Sequence, residues 1–342
     1  MIDASVLIKI AKKAHIKAER LERDYVMGLI LDALSKCEKT KDDVIFKGGT
    51  CVHKCFTFFE RPKDAKTLDP YFTQGRFSSD IDLTISKRLM STDKLIEAFS
   101  QVADYLEKEH GLILEDLSFP MHFNPKQEKT NSRAGLRYRG PLYLHGLEVL
   151  RQKAEAKGKK FEPLSPPNLK IDITADEKVV YEPSLEAIYH PYPSDNEKEK
   201  NLRTRCYSLQ GMFAEKVRSL FERCSPRDLY DLHILYAHPD IQSKKLEIGE
   251  AMIGKFRFKN LPLNLDETLL TTPNSEGKSL KDYCKEEWQH SLSQQVGELG
   301  KFEDFWDNER FPKIMDFARD CMSMALAQER QRNRLLSQGK EM

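Results

Sequence analysis

A short apolar stretch that runs into a glycine pair constrains this chain more than any other feature. Val44-Ile45-Phe46 is typical of a buried strand, and Gly48-Gly49 permits a turn that other residues resist. We expect a helical stretch from Thr50 to Phe59. Backbone N–H groups at the start of a helix favour an anion, so this turn is a candidate phosphate-binding site.

The stretch that follows, residues 80–85, alternates polar and apolar residues as a half-buried strand does. Asp80 and Asp82 share one face with Thr84, opposite the isoleucines and leucine. Two carboxylates that face away from a core suit Mg²⁺. Each pattern alone is more often a plain turn or a solvent-facing acidic pair, but their order along the chain favours a joint functional site.

Composition sets the broad class. The chain has 342 residues, of which 39% are hydrophobic and 32% charged, which is typical of a globular protein with room for two cores. We expect a cytoplasmic protein without membrane contact, because no apolar run has membrane length and the N-terminus lacks the features of a signal peptide. The 7 cysteines are scattered and odd in number, which favours reduced thiols.

Clusters of basic residues and of cysteines are two further candidate sites. Basic residues concentrate in 9–23 and 329–340, where solvated helix faces are the plainer interpretation and nucleic-acid contact the alternative. Cys51 and Cys55 stand four residues apart with His53 between them. No second cysteine pair has ligand spacing, so buried thiols are favoured over a zinc site.

The order of predicted elements indicates an α+β protein. Helices are expected over 21–35 and over 92–109, and strands over 133–143 and 170–174. A proline-rich passage over 183–196 precedes long helical patterns. We therefore predict a first domain over 1–195 and a helical C-terminal domain over 196–342.

A third carboxylate, Asp172, lies on the polar face of the later strand, two residues after Lys170. In two-metal nucleotidyl transfer a third carboxylate can help to hold the catalytic ion and take the proton of the attacking hydroxyl. An exposed Lys–Asp pair on an edge strand is the alternative.

A helix–turn–helix pattern over 208–232 contributes the last candidates. Lys216 lies on the margin of an apolar stripe, where it either extends its amine into water or binds nucleotide phosphates. Asp228 and Asp231 stand one turn apart near the next helix start, a position that favours acids. Asp231 could instead pair with Lys216 or Arg227 and lock the two helices together.

With these residues in place, the chain resembles the AbiEii/AbiGii-type nucleotidyltransferase toxins, a branch of the DNA polymerase β-like nucleotidyltransferase superfamily. Five segments carry the resemblance in family order: Lys47-Gly48-Gly49-Thr50, Arg76-Phe77-Ser78-Ser79-Asp80-Ile81-Asp82-Leu83, Lys170-Ile171-Asp172-Ile173, Ala214-Glu215-Lys216 and Arg227-Asp228-Leu229-Tyr230-Asp231-Leu232. The segments span roughly residues 46 to 235, and the helical tail matches only in general character.

The resemblance implies a mixed sheet flanked by helices, with a helical C-terminal domain that completes the nucleotide cleft. It implies transfer of an NMP from an NTP to an RNA 3′ hydroxyl, most often that of tRNA, with Mg²⁺ or Mn²⁺ as the cofactor. It also implies growth inhibition within a toxin–antitoxin or phage-defence system, and a cognate antitoxin as partner.

The resemblance assigns roles by residue. Asp80, Asp82 and Asp172 would hold the metal and, with Lys216, carry catalysis. The predicted nucleotide-binding set is Lys47, Gly48, Gly49, Thr50, Ser78, Lys216, Arg227, Asp228 and Asp231.

The chain departs from compact relatives in the passage from Glu60 to Gly75, which separates the glycine turn from the acidic strand. We expect a surface insertion there, close to the site. Two other functions stay open from the sequence. One is NMP transfer to a protein side chain, and the other is a non-catalytic nucleotide- or RNA-binding module.

Overall fold

The computed structural model describes residues 1–57, 67–124, 129–175, 177–275, 277–293, 295–296, 299–307 and 310–338. The chain divides into two compact units, and each is described by itself. The first unit comprises residues 1–55, 59–177 and 184–206. The second comprises residues 56–58, 178–183 and 207–342.

The first unit contains a sheet and the helices around it. Its helices are α1 (Ala4–Ala14), α2 (Ala18–Lys36), α3 (Gly48–Cys51), α4 (Pro70–Gln74), α5 (Thr92–His110) and α6 (Pro141–Ala156). Its strands are β1 (Val44–Lys47), β2 (Asp80–Ile85), β3 (Ile113–Glu115), β4 (Met121–Asn124), β5 (Lys129–Arg139), β6 (Asn168–Thr174), β7 (Ser184–Ala187) and β8 (Arg203–Cys206). A π-helix, Val52–Phe56, continues α3, and short 3₁₀ helices cover Lys87–Leu89 and Glu197–Glu199.

The described strands form one mixed sheet in the order β3-β5-β6-β2-β1-β8-β7, with β4 paired to β5. Strand β2 lies between β1, to which it is antiparallel, and β6, to which it is parallel. One face of these strands is apolar and fully buried, as Ile81, Leu83 and Ile171 show. The opposite face therefore carries the polar residues of the same strands.

Helix α5 illustrates how the sequence specifies its flanking helices. The side chain of Ser91 accepts a hydrogen bond from the Lys94 N–H at its start, and Gly111 ends it in the left-handed conformation. Leu95, Phe99 and their neighbours one turn apart are buried. The predicted α+β class, with a mixed sheet flanked by helices, is confirmed.

Two sequence expectations for this unit were wrong. The strand predicted to reach Tyr143 ends at Arg139, because Pro141 begins helix α6 in its place. The passage expected to be a surface insertion over 60–75 contains α4, whose Tyr71 and Phe72 are buried. Residues 60–66 of that passage lie outside the described residues.

A buried polar network holds α4 in place. The hydroxyl of Tyr71 donates to Asp24 on α2 at 2.7 Å, and the hydroxyl of Tyr192 donates to the same carboxylate oxygen at 2.8 Å. The ammonium of Lys54 lies 3.0 Å from the other Asp24 oxygen. All of these side chains are buried, so α4 belongs to the core of the unit.

The second unit is helical. Its helices are α7 (Leu209–Arg223), α8 (Pro226–Tyr236), α9 (Lys245–Phe258), α10 (Thr268–Thr271), α11 (Leu280–Leu292), α12 (Phe302–Trp306) and α13 (Arg310–Gln338), with a 3₁₀ helix over Ile241–Lys244. Helix α9 packs against α7, where Phe256 contacts Phe221, and against α13, where Gly249 lies beside Cys321. Strand β8 places residues 203–206 in the first unit. The predicted boundary at residue 195 stays a prediction.

In the described ranges, no helix has an apolar stretch long enough to cross a membrane.

Candidate active site

A row of four charged residues crosses the polar face of the sheet. Lys47 on β1 is the cross-strand partner of Asp82 on β2. Asp82 is in turn the partner of Asp172 on β6, and Asp172 the partner of Arg133 on β5. Cross-strand partners point to the same face, so two carboxylates stand directly opposite one another between two cations.

Asp80 adds a third carboxylate to this face, two residues before Asp82 on the same strand. Its Oδ1 is buried and has no hydrogen-bond partner among the described residues. A buried carboxylate oxygen without a partner costs free energy, because it has lost water and gained nothing in exchange. Asp80 therefore presents an acceptor that a ligand can use.

The glycine turn lies against Asp82. Gly48 has a φ of +79°, in the left-handed region that favours glycine. A Cβ atom at this position would lie 2.0 Å from Oδ2 of Asp82, so a side chain would occupy the space of the carboxylate. Glycine is thus required here both for the backbone conformation and for the close approach of the turn to the strand.

Thr50 fastens the same turn to β2. Its hydroxyl donates to the backbone carbonyl of Asp80 at 2.8 Å, and its side chain is buried. The ammonium of Lys47 is also engaged, since it donates to the Thr174 hydroxyl at 3.0 Å and lies 3.1 Å from the carboxylate of Glu177. These contacts fix the turn next to the two aspartates.

Asp172 sits at the more open side of the row. Nε of Arg133 lies 3.5 Å from its Oδ1, and 44% of the Asp172 side chain is exposed. The exposed Lys170 precedes it on the same face, where it is the cross-strand partner of Asp80. Asp172 is therefore accessible to an incoming molecule, with cations on either side.

The donor set fits a hard divalent cation. Asp80, Asp82 and Asp172 offer only carboxylate oxygens, which are the ligands that Mg²⁺ takes in proteins. Carboxylates directly opposite one another destabilise a sheet unless a cation compensates them. The Oδ1 of Asp80, which accepts no hydrogen bond within the described part of the chain, agrees with such a role. These three residues would hold the metal ion.

The predicted residues of the second unit also come together. The ammonium of Lys216 on α7 lies 2.9 Å from Oδ1 of Asp228 and 2.7 Å from Oδ2 of Asp231, both on α8. All three side chains are nearly fully buried. Burial by itself would raise the pKa of Asp228, but Lys216 and Arg223 outweigh it and lower that pKa to about 2. Asp231 thus pairs with Lys216, one of the partners considered from the sequence.

Three predicted nucleotide-binding residues remain to be placed: Ser78, Gly49 and Arg227. Ser78 is half-buried and stands two residues before β2, and Gly49 follows Gly48 within α3. Arg227 is exposed in the first turn of α8. Arg133 was not singled out from the sequence. Its strand was predicted, but only the pairing of β5 with β6 shows which residue lies beside Asp172.

A glycine turn that closes on a pair of strand aspartates in a mixed sheet is typical of nucleotidyltransferases. The family model described as "Nucleotidyl transferase AbiEii toxin, Type IV TA system" matches residues 30–308. The chain therefore belongs to the AbiEii family of nucleotidyltransferase toxins, and the resemblance stated above is confirmed.

Among solved structures the chain is similar to MenT4, a nucleotidyltransferase toxin from Mycobacterium tuberculosis H37Rv. The identity is 15% and the TM-score 0.46, and the match covers 94% of this chain and 89% of that one. A comparison with curated protein sequences found no match.

Proposed function

We propose that this toxin transfers an NMP from an NTP to the 3′ hydroxyl of an RNA, with tRNA as the acceptor and Mg²⁺ as the cofactor. One observation carries the proposal. Asp82 and Asp172 are direct cross-strand partners, and the nearby Asp80 has a buried Oδ1 to which no residue that the structure describes donates a hydrogen bond. This is a site built for a dication beside a turn that suits phosphate.

The roles follow from the positions of the residues. Asp80 and Asp82, together with Asp172, would hold Mg²⁺, which neutralises phosphate charge and makes the attacking hydroxyl more acidic when it is bound. Asp172, the more exposed carboxylate, would accept the proton of the acceptor hydroxyl. Gly48 holds the turn close to Asp82, so that backbone N–H groups can meet the triphosphate.

The remaining nucleotide contacts are proposed from the family pattern. Lys47, Gly49, Thr50 and Ser78 would line the phosphate side. The family pattern also assigns nucleotide binding to Lys216, Arg227, Asp228 and Asp231. In this role the two aspartates hold the ammonium of Lys216 in one position.

The cations beside Asp172 favour a nucleic-acid acceptor. Arg133 has 75% of its side chain exposed, and Lys170 is exposed on the same face. Cations beside the proton-accepting carboxylate can bind the phosphates of an RNA acceptor. They therefore favour RNA over a protein side chain as the acceptor. We further propose that the transfer inhibits growth, that a cognate antitoxin restrains the enzyme, and that it acts in the cytoplasm.

The test is transfer of label from each of the four α-³²P NTPs, with Mg²⁺, total RNA and cell protein present together. The informative variant is Asp80→Asn, which keeps the size of the side chain and removes its charge. Asp104→Asn is the matched control, because Asp104 is an exposed carboxylate on α5 of the same unit.

We expect label in RNA, concentrated at tRNA 3′ ends, that needs Mg²⁺ and is lost in Asp80→Asn but kept in Asp104→Asn. Label that appears in protein instead would replace this proposal with protein nucleotidylation. If no label depends on Asp80 although the NTP still binds, the chain is a binding module and the proposal is wrong.

A further inference from the structure

Three cysteine thiols lie close together in the first unit. As possible ligands they differ in chemical type from the carboxylates of the row. Cys51 ends helix α3, Cys55 lies in the π-helix that continues it, and Cys206 ends strand β8. Their three Sγ atoms all lie within 4.8 Å of one another. Cys51 and Cys206 are fully buried, and Cys55 is partly exposed.

The fold rather than the sequence spacing creates this cluster. Strand β1 pairs with β8 in parallel, with Phe46 opposite Cys206, so the helix that follows β1 begins beside the end of β8. Cys51 and Cys55 stand four residues apart on one helical stretch, and such residues lie on the same side of a helix. A π-helical turn is itself uncommon and is frequent at functional sites.

The separations suit three ligands of one metal ion. A tetrahedral Zn²⁺ with Zn–S bonds of about 2.3 Å holds its sulfurs about 3.8 Å apart. Thiols already within 4.8 Å of each other need to move by only about 1 Å to reach that geometry. The partial exposure of Cys55 leaves the fourth position open to water.

The charges nearby select the kind of ion. Lys54 and Glu186 both act on the Cys55 sulfur, the first with a positive and the second with a negative charge. Thiol ligands lose their protons when a metal ion binds. Three thiolates near a carboxylate are then compensated better by a dication than by a monovalent ion.

We propose that Cys51, Cys55 and Cys206 form a zinc site that joins the end of the glycine turn to strand β8. The ligand class is a thiophilic divalent cation, which differs from the hard cation that the carboxylates would take. The site does not depend on the proposed reaction. Its bound ion would hold α3, the element that contains Gly48, against the neighbouring strand.

The experiment uses the full-length, untagged protein, so that no added histidines bind metal. Zinc is measured by mass spectrometry after purification under reducing conditions, and the chelated protein is then titrated with Co²⁺. Thiolate ligands give Co²⁺ a ligand-to-metal charge-transfer absorption in the near ultraviolet. The variants are Cys55→Ser and Cys206→Ala, and the matched control is Cys37→Ala, a buried thiol of the same unit outside the cluster.

We expect one zinc ion per chain and the charge-transfer band in the unchanged protein and in Cys37→Ala. Each cluster variant should bind zinc at least about 10- to 100-fold more weakly, which is the loss of affinity that changes around a metal site cause. Circular dichroism checks that the variants fold, and the Co²⁺ spectrum of the unchanged protein tests the proposal without any variant.

Two results would overturn the zinc site. One is a folded, unchanged protein that holds no zinc and gives no thiolate band with Co²⁺. The other is zinc binding that survives unchanged in both Cys55→Ser and Cys206→Ala. If hydrogen peroxide instead converts two of these thiols to a disulfide, with release of water, in a protein that binds no zinc, the cluster is a redox site.

Discussion

Replacing Lys216 by Met should destabilise the helical unit strongly, because the change leaves two buried carboxylates without this cation. The ammonium contacts Asp228 at 2.9 Å and Asp231 at 2.7 Å, and each carboxylate is only 1% exposed. Loss of one partner of a buried ion pair costs about 3–5 kcal/mol. Arg223 keeps its contact with Asp228 at 2.9 Å, and we expect Lys216→Met to lower the free energy of unfolding by about 3–5 kcal/mol.

Tryptophan fluorescence in urea measures this change in the right part of the chain. Both tryptophans, Trp288 and Trp306, belong to the helical unit, so their signal follows its unfolding. The matched control is Lys278→Met, which breaks an ion pair with Glu286 of the same 2.7 Å length whose side chains are 52% and 53% exposed. The control should cost less than about 1 kcal/mol.

A second substitution tests the cause. Adding Asp231→Asn to Lys216→Met removes one of the two buried carboxylate charges while keeping the shape, so the double variant should recover about 1–3 kcal/mol relative to the single one. A loss below about 1 kcal/mol for Lys216→Met, equal to that of the exposed control, would refute the argument that burial makes these contacts strong.

Three further predictions concern the glycine turn and two buried groups. Gly48→Ala should reduce NMP transfer by about 100-fold by displacing Asp82, while Gly111→Ala, which has a similar φ but open space around it, should leave transfer unchanged. The pKa of Asp228 is lowered to about 2 from 3.8. Its contribution of about 2.5 kcal/mol to the free energy of unfolding is therefore present above pH 4 and lost as the pH falls toward 2. Asp228→Asn should remove this pH dependence from the free energy of unfolding measured by fluorescence. Tyr71→Phe should cost about 1.5–3 kcal/mol in urea titrations followed by circular dichroism, because its hydroxyl donates to a buried carboxylate.

The parts of the site that the sequence predicts well are those set by local rules. Alternation alone places Asp80 and Asp82 on the polar face of β2, and the glycine pair marks the turn. The contact between Gly48 and Asp82 and the row that ends at Arg133 depend on strand pairing. Pairing joins residues distant in sequence, and no local pattern encodes it.

Strands β7 and β8 are not predicted from the sequence because they are short. Strands β7 and β8 contain four residues each, too few for alternation to stand out from a loop. Without β8, Cys206 has no predicted place, and Cys51 and Cys55 look like two buried thiols. Tyr71 was misplaced in a surface passage because its charged and polar sequence neighbours hide a contact with Asp24 that only the tertiary structure provides.

The anchoring of α4 links the stability of the first unit to the position of the aspartates. Because Tyr71 is tied to Asp24 on α2, the chain reaches β2 from a fixed point immediately before the aspartates. The hydrogen bond that fastens α4 to α2 therefore also sets where the strand with Asp80 and Asp82 begins. A substitution that weakens this bond would loosen the fold and the approach to Asp80 together, so selection for stability at Tyr71 and selection for activity act on the same contact.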